Sequence, residues 1–113
     1  DVAYVGNFVD QGFYEKQQEV NDLTWIFPNE LAEKSMIYVS DQAPDADAIV
    51  INGMPNWRRL DGLPQRALFY TPNFENITGK PVIASDVALY WCIFKTLGVA
   101  PIGEHGYLLS KLK

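Results

Sequence analysis

Apolar residues fall along this chain in two rhythms. Short unbroken runs stand at Val2-Ala3-Tyr4-Val5, Ala48-Ile49-Val50-Ile51 and Val82-Ile83-Ala84, closed by Gly6-Asn7, Asn52-Gly53 and Ser85-Asp86. A run without polar alternation predicts a strand covered on both faces, as in a parallel sheet. Between the runs the spacing is helical. Gly12 to Val20 is polar and rich in Glu and Gln, which predicts a helix after the first strand. Ala32, Met36, Val39 and Ala43 recur at helical intervals behind Pro28-Asn29-Glu30, where proline and acid suit a first turn. A helix from about Pro28 to Gln42 follows, stopped by Pro44. Trp57 to Leu68 predicts a helix interrupted at Pro64, and Phe69 to Asn76 reads as turn-rich. Ser85 or Asp86 caps a last helix that runs to about Leu97 and ends at Gly98.

Strands alternating with helices predict βαβ units and a parallel sheet, so the class is α/β and the chain, residues 1–113, is a single domain. In open sheets of this kind ligands sit beyond the carboxyl ends of the strands. That rule selects three loops, Gly6-Asn7-Phe8, Asn52-Gly53-Met54 and Ala84-Ser85-Asp86. Val87 to Phe94 is apolar at every position, around the whole circumference of a helix, so part of it is expected to pack on another domain or another chain unless the surrounding chain wraps it.

Composition narrows the function classes. With 48% hydrophobic and 20% charged residues the chain is too apolar for disorder, and no apolar run reaches the ~18 residues of a membrane span. Fourteen acidic against nine basic side chains leave a net charge of −5, which opposes nucleic acid, and Arg58-Arg59 is too small a basic patch to reverse that. One cysteine and one histidine exclude a disulfide framework and leave little for a metal. No targeting segment is visible, so a cytoplasmic location is the default expectation. Walker, G-x-G-x-x-G, H-E-x-x-H and G-x-S-x-G motifs are all missing from the sequence. His105, in Gly103-Glu104-His105-Gly106, reads as a surface-loop histidine, with catalysis as its alternative role. Cys92, in the middle of the apolar helix, is expected to be protonated and inert. Asn76-Ile77-Thr78 matches a glycosylation sequon, a pattern frequent by chance.

A more specific pattern spans Pro44-Asp45-Ala46-Asp47-Ala48-Ile49-Val50-Ile51, then Asn56-Trp57-Arg58-Arg59-Leu60-Asp61, then Gly79-Lys80-Pro81-Val82-Ile83-Ala84-Ser85-Asp86-Val87-Ala88-Leu89-Tyr90-Trp91. It resembles the second half of the aspartate/glutamate racemase superfamily, in its maleate cis-trans isomerase and arylmalonate decarboxylase branch. There a P-D-A-D-A strand precedes a catalytic loop, an N-L-R-T-L-D-like helix start and a G-K-P-V-x-S-S-N-Q-A-x-x-W turn. The resemblance implies a flavodoxin-like parallel sheet with flanking helices, one half of a two-domain fold that works without cofactors. In such enzymes a cysteine thiolate moves a proton at the carbon next to a carboxylate or adds to a double bond, while backbone amides and hydroxyls hold the carboxylates. Here the thiol position falls on Gly53 or Met54, within Asn52-Gly53-Met54-Pro55-Asn56, and Phe8 stands where the family often carries tyrosine. The other half-domain and a second strand-and-loop unit between Val20 and Pro28 are missing, and Arg66 to Thr78 is an insertion relative to the family.

The resemblance implies a domain that binds a small carboxylate or dicarboxylate through Asn7, Phe8, Asn52, Gly53, Met54, Asn56, Ser85 and Asp86, with no metal and no catalytic residue assigned in this chain. A thiol on a partner subunit or partner domain would be the base if the protein turns over substrate, which points to a homo-oligomer or to a missing half. Two alternatives stand beside it. One is a non-catalytic binding or assembly module that uses its apolar helix as an interface. The other is a flavodoxin-like domain that binds a phosphate-bearing ligand at Ser85-Asp86, which the charge of Asp86 opposes.

Overall fold

A computed structural model describes residues 2–112 except 4, 23–25, 53–55, 59 and 60. The described chain is mixed α/β. Its elements are α1 (Gln17–Asp22), β1 (Ile26–Pro28), α2 (Asn29–Gln42), β2 (Ile49–Ile51), β3 (Asn56–Arg58), β4 (Pro64–Arg66), α3 (Ala67–Thr78), β5 (Val82–Ala84), α4 (Ser85–Leu97) and α5 (Tyr107–Ser110). They form two sheets. β2 and β5 are parallel, with Ile49 opposite Val82, Val50 opposite Ile83 and Ile51 opposite Ala84. In the other sheet, of order β1-β3-β4, β1 and β3 are parallel and β3 and β4 antiparallel.

Local chemistry explains most boundaries. The Glu19 carboxylate reaches back to the Glu15 and Lys16 amides at 3.1 and 3.3 Å and caps α1. α2 buries Ala32, Ser35 and Met36 on one stripe, and Ser35 donates its hydroxyl to Gln11 Oε1 at 2.6 Å. α4 stops at Gly98, whose φ of 68° is the left-handed conformation that glycine takes without penalty. The core gathers around β5, where Val82 and Ala84 meet Ala67, Phe74, Val87 and Leu109, all essentially inaccessible. Each fully buried side chain of Val, Leu or Phe size contributes ~1.5–3 kcal/mol. α2 packs on β1 and β3, and α3 packs on β4, β5, α2 and α4.

A carboxylate ties this core to the last helix. Glu75 accepts the Val82 amide at 3.0 Å and the Tyr107 amide at 3.0 and 2.9 Å, so one side chain of α3 satisfies the start of β5 and the first turn of α5. Gly106 makes that approach possible. A Cβ there would stand 2.7 Å from Thr71 Cγ2 and 3.1 Å from the Glu75 oxygens.

Five sequence expectations are corrected. Val2, Ala3, Val5 and Gly6 form no strand, and Val2 is 98% exposed; Tyr4, also in that run, lies outside the described residues. Instead the chain turns at once, as Asn7 Oδ1 accepts the Val9 and Asp10 amides at 2.9 and 3.0 Å and Asp10 returns a bond to the Asn7 amide at 3.0 Å. The helix expected from Gly12 begins only at Gln17. The helix expected over Trp57 to Leu68 is an antiparallel strand pair up to Arg66, with Arg59 and Leu60 outside the described residues. Pro64 fits as the first residue of a strand at the sheet's edge, a position that proline tolerates. Finally, the turn-rich stretch Phe69 to Asn76 is the body of α3, with Pro72 inside it. Ala67, Thr71 and Phe74 bury one continuous stripe, which offsets the single hydrogen bond lost at Pro72. Nor is β2 covered on both faces. Ile49 is 5% exposed and Val50 73%, because only one face of the strand meets the core.

Candidate functional site

Parallel pairing brings the carboxyl ends of β2 and β5 to one edge, since Ile51 stands opposite Ala84. Asn52 follows Ile51 there and is exposed, while Ser85 follows Ala84 and opens α4. α4 is 13 residues long, and its first amides carry the partial positive charge of a helix start. Its N-cap, Ala84, offers no side-chain bond, so neither Ser85 nor Asp86 caps the helix in the expected way.

Asp86 plays a different part from the one expected of it. It is 3% exposed, and its carboxylate faces the protein's own backbone, with Oδ2 accepting the Leu68 amide at 3.1 Å and Oδ1 the Val87 amide at 2.8 Å. α3 lacks a side-chain cap of its own at Arg66, so Asp86 supplies one from the next helix. The Asp86 carboxylate is thus buried against the protein's own amides.

The remaining expected site residues divide. Asn7 spends its side-chain oxygen on the Val9 and Asp10 amides and places Nδ2 3.4 Å from Gln17 Oε1. Phe8 packs beside Phe13 and Tyr14, with ring centroids 6.5 Å apart in each pair. Both therefore belong to the N-terminal turn. Asn56 opens β3, in the other sheet, where its backbone stands between Ile26 and Arg66. Gly53 and Met54 lie outside the described residues. Of the expected set, the strand pairing unites Asn52 and Ser85.

His105 is a half-buried loop residue. Its Nε2 lies 2.8 Å from the Ile102 carbonyl, which can only accept, and its ring stands T-shaped to that of Phe69 with centroids 6.2 Å apart. Cys92 is exposed, on a stripe of α4 with Leu89, Ile93 and Leu97.

Two polar clusters join residues far apart in the sequence. Glu33 of α2 accepts the Tyr70 hydroxyl and, at 3.0 Å, the Asn73 amide of α3, which staples the two helices. Burial, followed by the hydrogen bond to Glu33 and the charges of Glu33 and Glu30, pushes the Tyr70 phenol up to about 12, so it stays protonated at neutral pH. In the other cluster Lys80 donates to the carbonyls of Ala43, Pro44 and Ala46. That contact joins the Gly79-Lys80-Pro81 and Pro44-Asp45-Ala46 motifs physically, and gives both a structural role.

Among the described residues no group of three His, Cys, Asp or Glu side chains could hold a metal ion, and no helix is long and apolar enough to cross a membrane. No protein-family model matches the chain, and no curated protein matches it in sequence.

Proposed function

We propose that this chain is a racemase-superfamily-like, flavodoxin-like half that binds a small dicarboxylate at the carboxyl edge of β2 and β5. The reading relates it to cofactor-independent isomerases and decarboxylases acting at the carbon next to a carboxylate. The observation that carries it is the pairing of Ile51 with Ala84, which puts Asn52, Ser85 and the first amides of α4 at one edge. Ser85 lies inside one of the segments that carry the resemblance, and Asn52 directly follows another. Asn52 offers an amide donor, Ser85 a hydroxyl, and the helix start a favourable field for a carboxylate. Gly53 and Met54 join them by sequence position. Cys92 stands seven residues along α4 from Ser85, roughly 10 Å at the rise of an α-helix, too far to serve as the base at that edge.

Calorimetry with maleate, aspartate and an arylmalonate tests the reading, paired with α-proton exchange in deuterated water. Binding of at least one, weakened roughly fivefold to tenfold by Asn52→Ala and by Ser85→Ala, is expected. Exchange, if present, survives Cys92→Ser. Failure of all three ligands to bind refutes the proposal.

A second reading, an assembly module, is favoured by the exposed stripe Leu89, Ile93 and Leu97, which recurs every fourth residue on α4. It makes this face a contact between copies of the chain, a homo-oligomer that would also supply the family's second half.

A further inference from the structure

Lys80 lies between Gly79, which ends α3, and Pro81, which leads into β5. Its Nζ donates to the Ala43 carbonyl at 3.0 Å, the Pro44 carbonyl at 2.7 Å and the Ala46 carbonyl at 2.9 Å. An ammonium has three N–H donors, and here each has an acceptor. The acceptors are the end of α2 and the chain that leads from it into β2. Ala43 is the C-cap of α2, so its carbonyl shares the partial negative charge of the helix terminus, and it also accepts the Ala46 amide at 3.1 Å. A cation on the approach to one strand is thus held in a carbonyl cradle on the approach to its partner.

The first rung of the parallel pair lies directly beside this contact, since the Ile49 amide donates to the Pro81 carbonyl at 2.9 Å. β2 and β5 are three residues each, so their own ladder specifies alignment weakly. A one-residue slip of β2 would turn Val50 toward the core and Ile49 outward. We propose that the Lys80 ammonium is the register lock of this pair: by closing the Ala43, Pro44 and Ala46 carbonyls it sets which residue of β2 faces which residue of β5. It does so whatever binds at the opposite edge, and the alignment of Asn52 with Ser85 follows from it.

The test uses single thiols introduced as Ile49→Cys or Val50→Cys in a Cys92→Ser background, each with and without Lys80→Met. With Lys80 present the thiol at position 50 reacts much faster than that at 49, as the exposures of the native residues require. Lys80→Met is expected to shrink that ratio roughly tenfold and to speed exchange of the Ile49 amide by a similar factor, while the Gly98 amide at the end of α4 is unchanged. An unchanged ratio and unchanged Ile49 exchange in folded Lys80→Met protein overturn the proposal. If that variant does not fold, Lys80→Ala is refolded with n-propylammonium or with tetramethylammonium, which has no N–H to donate. Recovery of Ile49 protection with the first alone is expected. An equal effect of the two cations, or no recovery with either, overturns the proposal.

Discussion

Removing the Asp86 carboxylate by Asp86→Ala deprives two helices of one shared acceptor. The Val87 amide is buried, and the Leu68 amide, at the start of α3, is part-buried. A buried N–H left without its partner costs ~1–3 kcal/mol, with the lower end of that range for Leu68, where water can reach. Asp86→Ala should therefore destabilise the fold by ~2–4 kcal/mol, a large share of the ~5–15 kcal/mol total of an ordinary domain. Asp86→Asn keeps the shape and one acceptor oxygen but turns an NH2 toward one backbone N–H, so ~1–2 kcal/mol is expected. Urea unfolding followed by circular dichroism reads both, with an unchanged slope showing that the change lies in stability rather than in compactness. Exchange of the Leu68 amide should quicken in step. If Asp86→Ala unfolds within ~0.5 kcal/mol of the parent and Leu68 exchange is unchanged, the capping argument fails, because ~0.5 kcal/mol is what an ordinary surface substitution costs.

Three further outcomes follow from the helices. In an ultraviolet pH titration one tyrosine should ionise near 12, and Glu33→Gln should bring it part of the way down toward the ordinary phenol value by removing the carboxylate's charge, while the amide oxygen can still accept the hydroxyl and burial is unchanged. Because the folded phenol holds its proton more tightly than the unfolded one, its contribution to stability is complete below pH 10 and is lost as pH rises from 10 to about 12; chemical unfolding at stepped pH checks the sign. On α4, Leu89→Lys and Ile93→Lys should each weaken self-association about fivefold in sedimentation equilibrium, from ~1 kcal/mol of lost burial apiece, and a parent that stays monomeric at every concentration refutes the contact.

The elements legible in the chain are those whose signals are local. β2 and β5 show as apolar runs closed by Asn52 and Ser85, α2 as the period through Ala32 and Met36, and α4 by its end at Gly98. Apolar periodicity and glycine stops act within about four residues, so sequence alone displays them. The misread segments are those where a distant partner outweighs a local preference. Pro72 reads as a break until Ala67, Thr71 and Phe74 are seen buried against the core, and Val2 to Val5 reads as a strand although the structure gives Val2, Ala3 and Val5 no described partner strand. The site divides in the same way. Asn52 and Ser85 are legible because strand ends are, whereas the inward carboxylate of Asp86 depends on Leu68, 18 residues earlier. The sequence by itself thus determined an α/β chain and the two strand ends that meet at one edge. Only the tertiary structure decided that Asp86 is a cap, that Cys92 is exposed and that Lys80 closes carbonyls 34 to 37 residues away, because pairing over such separations depends on how the packed elements bring the chain together and leaves no period in the sequence.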